Sequence, residues 1–372
     1  MELYYKFTMK VHFPNLNAIR FFAAFMVIIH HIEQNKGLFG MANIFKQGNI
    51  QLMGKIGVTL FFVLSGFLIT YLLLVEEKEA KKIDIKAFYM RRILRIWPLY
   101  YLIIALAFFV FPFIDFMYLP GHDTSNWAIK LVFFVFFMPN VIHALGAGLA
   151  FGTQAWSVGA EEQFYLVWPW LMNFFKNKLA LILSVLAAYL AIRLTFTYLF
   201  EVHVLFAYLS KIWSLIPIDN MAIGGLFAVI YYNKYPKLIA MITHPILQVI
   251  VWISVIYLLF TGISLGFFHH QIYAMLFGIL IFNLATNPKT VVKFKSKILD
   301  YLGKISFGLY MYHSIFIVIS IKVLQALNFS NNLLVYILSF MLTIVVASLS
   351  YEYFEKRFLN MKIKYSKVLS RD

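Results

Sequence analysis

The sequence predicts an all-α fold, a polytopic bundle of membrane-spanning helices. Three observations carry this. Of 372 residues, 62% are hydrophobic and 13% are charged, whereas a soluble domain is roughly half apolar and a quarter charged. Mean hydropathy is +0.80. The lysines and arginines gather between long apolar runs, as loop charges that set topology do.

A helix needs roughly 20 mostly apolar residues to cross a bilayer. Apolar runs and their breaks predict about ten spans, near 14–34, 54–75, 93–114, 161–175, 179–200, 213–232, 246–263, 270–286, 301–324 and 332–354. The fourth looks short and could begin around Ala155. Lys78, Lys81, Lys82, Lys86, Arg91, Arg92 and Arg95 precede the third span. Later basic groups lie at Lys176 and Lys178, Lys234 and Lys237, 289–297, and 356–371. All fall on one side if both termini are cytoplasmic. The 35–53 loop, with Lys36 and Lys46, is the exception and is placed outside. A full crossing at 127–142 would invert every later loop, so that segment reads as interfacial or re-entrant.

The net charge of +16 is therefore a topology signal, and nucleic acid is not expected as a partner. The absence of cysteine excludes disulfides, a thiol nucleophile and thiolate metal sites; no metal is expected. No small-residue cleavage site follows the first apolar run, so that helix is expected to be retained. Residues 1–372 read as one membrane domain without an appended soluble domain.

Polar groups inside membrane spans are costly and mark function by default. In "LNAIRFFAAFMVIIHH", Arg20 and His31 are eleven residues apart and share a helix face, with a rise of about 16 Å between them. His30 points away from that face. Either the pair lines a path through the bundle, or each end sits at a headgroup layer. "GKIGVTLFFVLSGFLIT" (54–70) has glycines suited to close helix packing, and Ser65 could bond across helices. Arg92 and Arg95 in "FYMRRILRIWPLYY" (88–101) share a face. They read as ordinary anchoring or as a phosphate clamp, since guanidinium binds phosphate oxygens in pairs.

Glu161 and Glu162 in "WSVGAEEQFYLVWPW" (156–170) stand at the predicted outer start of the fourth span. One could cap the helix. The other could orient an imidazole and raise its basicity, and the topology puts His31 in the same leaflet. His313, in "YLGKISFGLYMYHSIF" (301–316), lies midway along the ninth span and could be structural or catalytic. Asp219, Glu352 and Glu355 are weaker candidates; Glu355, among Lys356 and Arg357, reads as a paired surface charge.

Together these five stretches resemble the acyltransferase 3 family of bacterial membrane O-acyltransferases, over about residues 14–358. Arg20 and His31 match its arginine, ten residues, histidine pattern in the first helix. Arg92 and Arg95 match its Arg-x-x-Arg. Trp156, Ser157, Glu161, Phe164 and Tyr165 match the Trp-Ser…Glu-x-x-Phe-Tyr motif. "FEKRF" replaces a common Glu-Arg-Pro.

The resemblance implies a multi-pass protein of the bacterial inner membrane, in contact with membrane lipid. Its acyl group, most often acetyl, comes from cytoplasmic acyl-CoA such as acetyl-CoA. The acceptor is a sugar hydroxyl on a cell-surface glycan or glycolipid. His31, oriented by Glu161 or Glu162, is the expected general base. Arg20, Arg92 and Arg95 are expected on the donor. Ser65, Trp156, Tyr165, Tyr310 and His313 are expected on the substrates. A transporter or flippase for a glycolipid would also need buried charge, but neither an internal repeat nor a matched pair of interrupted helices is evident.

Overall fold

A computed structural model describes residues 9–11, 13–120, 125–329, 331–366 and 368–370. Sixteen α-helices follow one another among them: α1 (Leu16–Leu38), α2 (Gly48–Ala80), α3 (Ile85–Phe109), α4 (Trp127–Val135), α5 (Pro139–Ala144), α6 (Ala155–Phe174), α7 (Lys178–Leu199), α8 (Val204–Ser214), α9 (Ile218–Tyr232), α10 (Pro236–Ile242), α11 (Pro245–Thr261), α12 (His269–Thr286), α13 (Lys297–Lys304), α14 (Ser306–Ala326), α15 (Asn332–Ser350) and α16 (Lys356–Lys362). The exception to an all-helical chain is one small parallel pair, β1 (Met9–Val11) with β2 (Val368–Ser370). Among the described residues, eight helical stretches are long and apolar enough to cross a membrane, or nine if α10 and α11, bent by 53°, form one broken span. The expected ten also included α6. That helix is 20 residues long and starts at Ala155, but Glu161, Glu162 and Gln163 lie within it.

The segment 127–142 does not form a span. It folds into α4 and α5, of nine and six residues. At 1.5 Å per residue, even α4 rises only about 14 Å. Phe137, with φ of 56°, turns the chain between them. The carbonyls freed at this turn are met by side chains. Tyr100 Oη donates to Phe134 O at 2.7 Å, Tyr101 Oη to Val135 O at 2.9 Å, and Gln163 Nε2 to Phe137 O at 2.9 Å. Non-helical backbone at membrane depth needs such partners.

The core is built around α2, which lies between α1 and α9. A Cβ on Gly66 would lie 1.9 Å from Met221 O, and one on Gly224 would lie 2.0 Å from Val63 O. The backbones of α2 and α9 therefore touch in both directions. Gly57 meets Ala23 O of α1 in the same way, at 2.7 Å. Without a hydrophobic drive between helices in lipid, such close approach supplies the van der Waals gain. Outward faces stay apolar: on α15, Leu333, Ile337, Met341, Val345 and Leu349 are exposed at four-residue intervals.

Ion pairs collect on one side of the bundle. Arg91 bonds Glu76 at 2.8 Å and Tyr365 O at 2.7 Å. Lys178 bonds Glu77 at 2.9 Å. The β1–β2 pair brings the two ends of the described chain together. The exception at Lys36 has a local reason. It is 3% exposed and pairs with Glu33 at 2.5 Å, and Glu33 also accepts from Tyr336 Oη and Ile44 N. Its charge is thus cancelled inside the fold. Glu355 also departs from expectation. A turn of π-helix at 351–355 carries it inward, where it is 8% exposed and accepts from Ser350 at 3.0 Å. Glu352, not Glu355, makes the surface pair with Lys356.

Packing this tight predicts a large penalty for any side chain at the α2–α9 contact. Gly66→Val should cost about 3 kcal/mol or more, at or above the upper range of overpacking. Thermal unfolding of the purified protein in detergent checks this; a variant that melts with the wild type refutes the contact.

Candidate functional site

Two of the expected groupings meet at one cavity of about 120 Å³ between α1, α2, α3, α6 and α14. Arg20, Arg92 and Arg95 line it, together with Ser65, Glu161, Tyr165 and Tyr310, against apolar walls such as Leu68, Ile69 and Leu72. Arg20 is buried, and its Nη1 donates to Asn17 at 2.7 Å. The Arg92 guanidinium lies over the Phe88 and Tyr165 rings, at 5.7 and 5.9 Å. Aromatic faces hold a cation without neutralising it. Three guanidinium groups in a half-dry cavity, with a long apolar wall, fit a donor that carries phosphates on a flexible arm.

Glu161 sits deeper in the same cavity. Its two oxygens accept from Ser65 at 3.0 Å and Tyr165 at 2.9 Å. Glu162 turns toward α3 and accepts from Trp97 Nε1 at 3.0 Å. Because α6 starts at Ala155, both glutamates lie two turns into the helix, so neither caps it. Neither bonds His31, so the expected carboxylate–imidazole pair is not what the structure holds. Ser65 is a donor to Glu161 across helices, as one reading of the sequence had it.

His31 is instead paired with His313. His313 Nε2 and His31 Nδ1 are 3.2 Å apart, with ring centroids at 4.9 Å. His313 is fully buried, and its Nδ1 faces Tyr310 O at 2.5 Å. His31 Nδ1 also faces Val27 O, at 2.9 Å. These contacts determine the protons. A carbonyl only accepts, so His313 carries its proton on Nδ1 and its Nε2 is an acceptor. His31 then carries its proton on Nδ1, shared between Val27 O and His313 Nε2. Its Nε2 is left with a lone pair and no hydrogen bond to any described residue. His313 does for His31 what a carboxylate was expected to do: it selects the tautomer and holds the ring.

Tyr310 joins the cavity to this pair. It lines the cavity, donates to Gln154 O at 2.9 Å, and so accepts from Ser157 at 2.7 Å. Its ring is 5.8 Å from that of His313. His30 takes a separate partner, Ile50 O at 2.8 Å, and packs over Gly54, where a Cβ would lie 2.7 Å from its ring. Trp156 lies outside the arginine cavity. It stacks on His143 at 5.9 Å and lines a second polar cavity on the histidine side of α2. His143 was not anticipated: it sits in the re-entrant segment, which carries no sequence mark of a site. No group of three or more His, Cys, Asp or Glu residues could hold a metal among the described residues.

A helical membrane bundle whose basic cavity shares Tyr310 with a packed histidine pair has the form of a group-transfer enzyme. The chain belongs to the acyltransferase 3 family, whose sequence model, described as an acyltransferase domain, matches residues 13–352. It is 25% identical over 369 residues to the peptidoglycan O-acetyltransferase OatA of Listeria monocytogenes, covering 93% of this chain and 56% of that protein. It is 26% identical over 365 residues to the O-acetyltransferase OatA of Staphylococcus aureus, covering 92% and 57%. The chain thus spans little more than half the length of these relatives. No solved structure matches it.

The proton assignment is testable without any substrate. In ¹⁵N-histidine-labelled protein, the resonances removed by His31→Ala are expected to show a protonated Nδ1 and an unprotonated Nε2. The opposite pattern refutes the His31–His313 arrangement.

Proposed function

We propose that the chain is a membrane O-acetyltransferase. In this reading it moves an acetyl group from cytoplasmic acetyl-CoA to a hydroxyl of a cell-wall or other cell-surface glycan, at the bacterial inner membrane. The glycan is the acceptor class named for the Listeria relative. The side carrying Arg20, Arg91 and the basic tail is then cytoplasmic, and the His31 side faces out. α6 and the bent α10–α11 complete ten crossings, with both termini inside.

The observation that carries the reading is the unpartnered Nε2 of His31, whose partner His313 lies one helical turn from Tyr310 on the arginine cavity's wall. Arg20, Arg92 and Arg95 bind the phosphates, and the apolar wall takes the arm. About 16 Å of helix rise separates Arg20 from His31, the reach an extended thioester arm needs. The bound donor supplies an activated carbonyl. His31 Nε2 takes the proton of the acceptor hydroxyl as its oxygen attacks that carbonyl. His313 Nε2 and Val27 O steady the imidazolium that forms, since both accept from its Nδ1–H. The C–S bond then breaks, and His31 returns its proton to the leaving sulfur. Glu161, held by Ser65 and Tyr165, anchors the cavity's inner wall.

Transfer from radiolabelled acetyl-CoA by purified protein tests this. His31→Ala should lower turnover by about 10²-fold or more while the protein keeps its elution profile. His313→Ala should cost less, because it removes orientation and not the base, and His30→Ala less again. Arg95→Gln should raise the KM for acetyl-CoA more than it alters use of the acceptor. Full activity in His31→Ala would sink the proposal.

A further inference from the structure

The mechanism above uses one cavity. A second, of about 90 Å³, lies on the other side of α2 and shares Val58 and Phe62 with the first. It is built from α2, α6, α7, α9 and α12, and it lies at the level of His31 and not of Arg20. Gly54, which packs on His30, is one residue from Lys55 on its wall. Exposed Lys55 and Ser214 mark its mouth.

The unpartnered buried side-chain atoms on this cavity's wall are all acceptors. Asp219 and Asn220 are each 3% exposed, and Asp219 Oδ1, Asn220 Oδ1 and Gln271 Oε1 have no hydrogen-bond partner. The Gln271 orientation is settled, because its Nε2 donates to Asp219 Oδ2 at 2.5 Å. Backbone N–H groups at the start of α9 approach the Asp219 carboxylate without reaching bonding geometry. Three buried acceptors at one place ask for a ligand that brings donors, since a buried polar atom left without a partner keeps its full desolvation penalty. A cation would supply attraction, but Arg193 and Lys55 stand on the same wall. Arg193 is held there by Phe267, whose carbonyl it meets at 2.7 Å and whose ring it covers at 4.1 Å. Neutral donors are hydroxyl and amide N–H groups, and an amino-sugar unit carries both. Trp156 and Tyr189 supply the aromatic faces against which the C–H side of a sugar ring packs.

We propose that this cavity is the acceptor subsite: it holds a sugar unit of a glycan through Asp219, Asn220 and Gln271. The ring rests against Trp156, with a hydroxyl directed past Phe62 toward His31. This rests on the acyl-transfer reading and adds to it a place for the second substrate. Donor and acceptor then approach from opposite faces of α2 and opposite sides of the membrane. No step requires either to cross.

The test uses the full chain in a sugar-free detergent and chitotetraose, a soluble β-linked amino-sugar oligomer, as probe. Tryptophan fluorescence reads binding, and labelled acetyl-CoA reads transfer. Wild-type protein is expected to bind chitotetraose. Gln271→Leu and Asn220→Ala, made separately in case one fails to fold, should weaken that binding at least tenfold. They should raise the KM for chitotetraose to match, with the KM for acetyl-CoA held within twofold. Binding that is absent in the wild type, as for a cavity filled by water alone, overturns the proposal. So does binding that is equal in all three proteins. The two readings fail separately. A wild type that binds chitotetraose in a Gln271-dependent way but moves no acetyl group refutes the reaction and keeps the subsite. A wild type that acetylates chitotetraose with a KM indifferent to both substitutions refutes the subsite and keeps the reaction.

Discussion

The backbone contact of α2 with its two neighbours is the constraint from which the rest follows. Met221 O and Val63 O each stand where a side chain would be on the facing glycine, so α2 and α9 have one relative height and rotation. The Gly57 contact with Ala23 O does the same for α1. Those two registers put Val58 and Phe62 between the two polar cavities. They also bring His30 down onto Gly54, which turns the next residue, His31, toward α14. A bundle held by ordinary knobs could slide by a fraction of a turn. One held by carbonyls against bare Cα atoms cannot, and a 3.2 Å imidazole pair between distant helices needs that rigidity.

Much of the site was legible because it is local to single helices. The shared face of Arg20 and His31, the spacing of Arg92 and Arg95, and the packing role of the glycines follow from the helical period alone. What was not legible is which helix faces which. Orientation from lysine counting put Glu161 in the outer leaflet with His31, but the start of α6 at Ala155 sinks it two turns toward the arginines. Its partners, Ser65 and Tyr165, then come from the same cavity wall. The partner of His31 sits 282 residues away in sequence, and His313 carried no mark to separate a proton-orienting role from a structural one. Glu355 misled for a related reason: a π-turn moves a residue by about one position around the helix, and an α-period reading cannot anticipate that.

Buried polar groups divide into two kinds here. Glu33 with Lys36, Glu76 with Arg91, and Lys178 with Glu77 and the carbonyls of Met172 and Phe175 all find complementary partners inside the chain. They join α1 to α15, α2 to α3, and α2 to α7, and their chemistry is finished. The second kind is left open, and among it are the acceptor oxygens of Asp219, Asn220 and Gln271. A polar atom without a partner in a membrane bundle is expensive, and natural structures satisfy the great majority of them. Other such atoms stand singly, as Trp213 Nε1, Thr290 Oγ1 and Ser339 Oγ do, whereas three acceptors share the one cavity beside α2.

The two histidines add a reason for that depth. An imidazole oriented by a second neutral imidazole, and not by a carboxylate, gains no full negative charge beside it. Two neutral rings add no net charge to the low-dielectric centre of the bundle. A carboxylate partner would have placed an anion there, with the desolvation cost that entails. Glu161 instead accepts from two hydroxyl donors, on the wall of the cavity that Arg20, Arg92 and Arg95 also line. The chain thus separates its charges from its base. The guanidinium groups and the carboxylate line one cavity, while the neutral rings of His31 and His313 meet farther along α1.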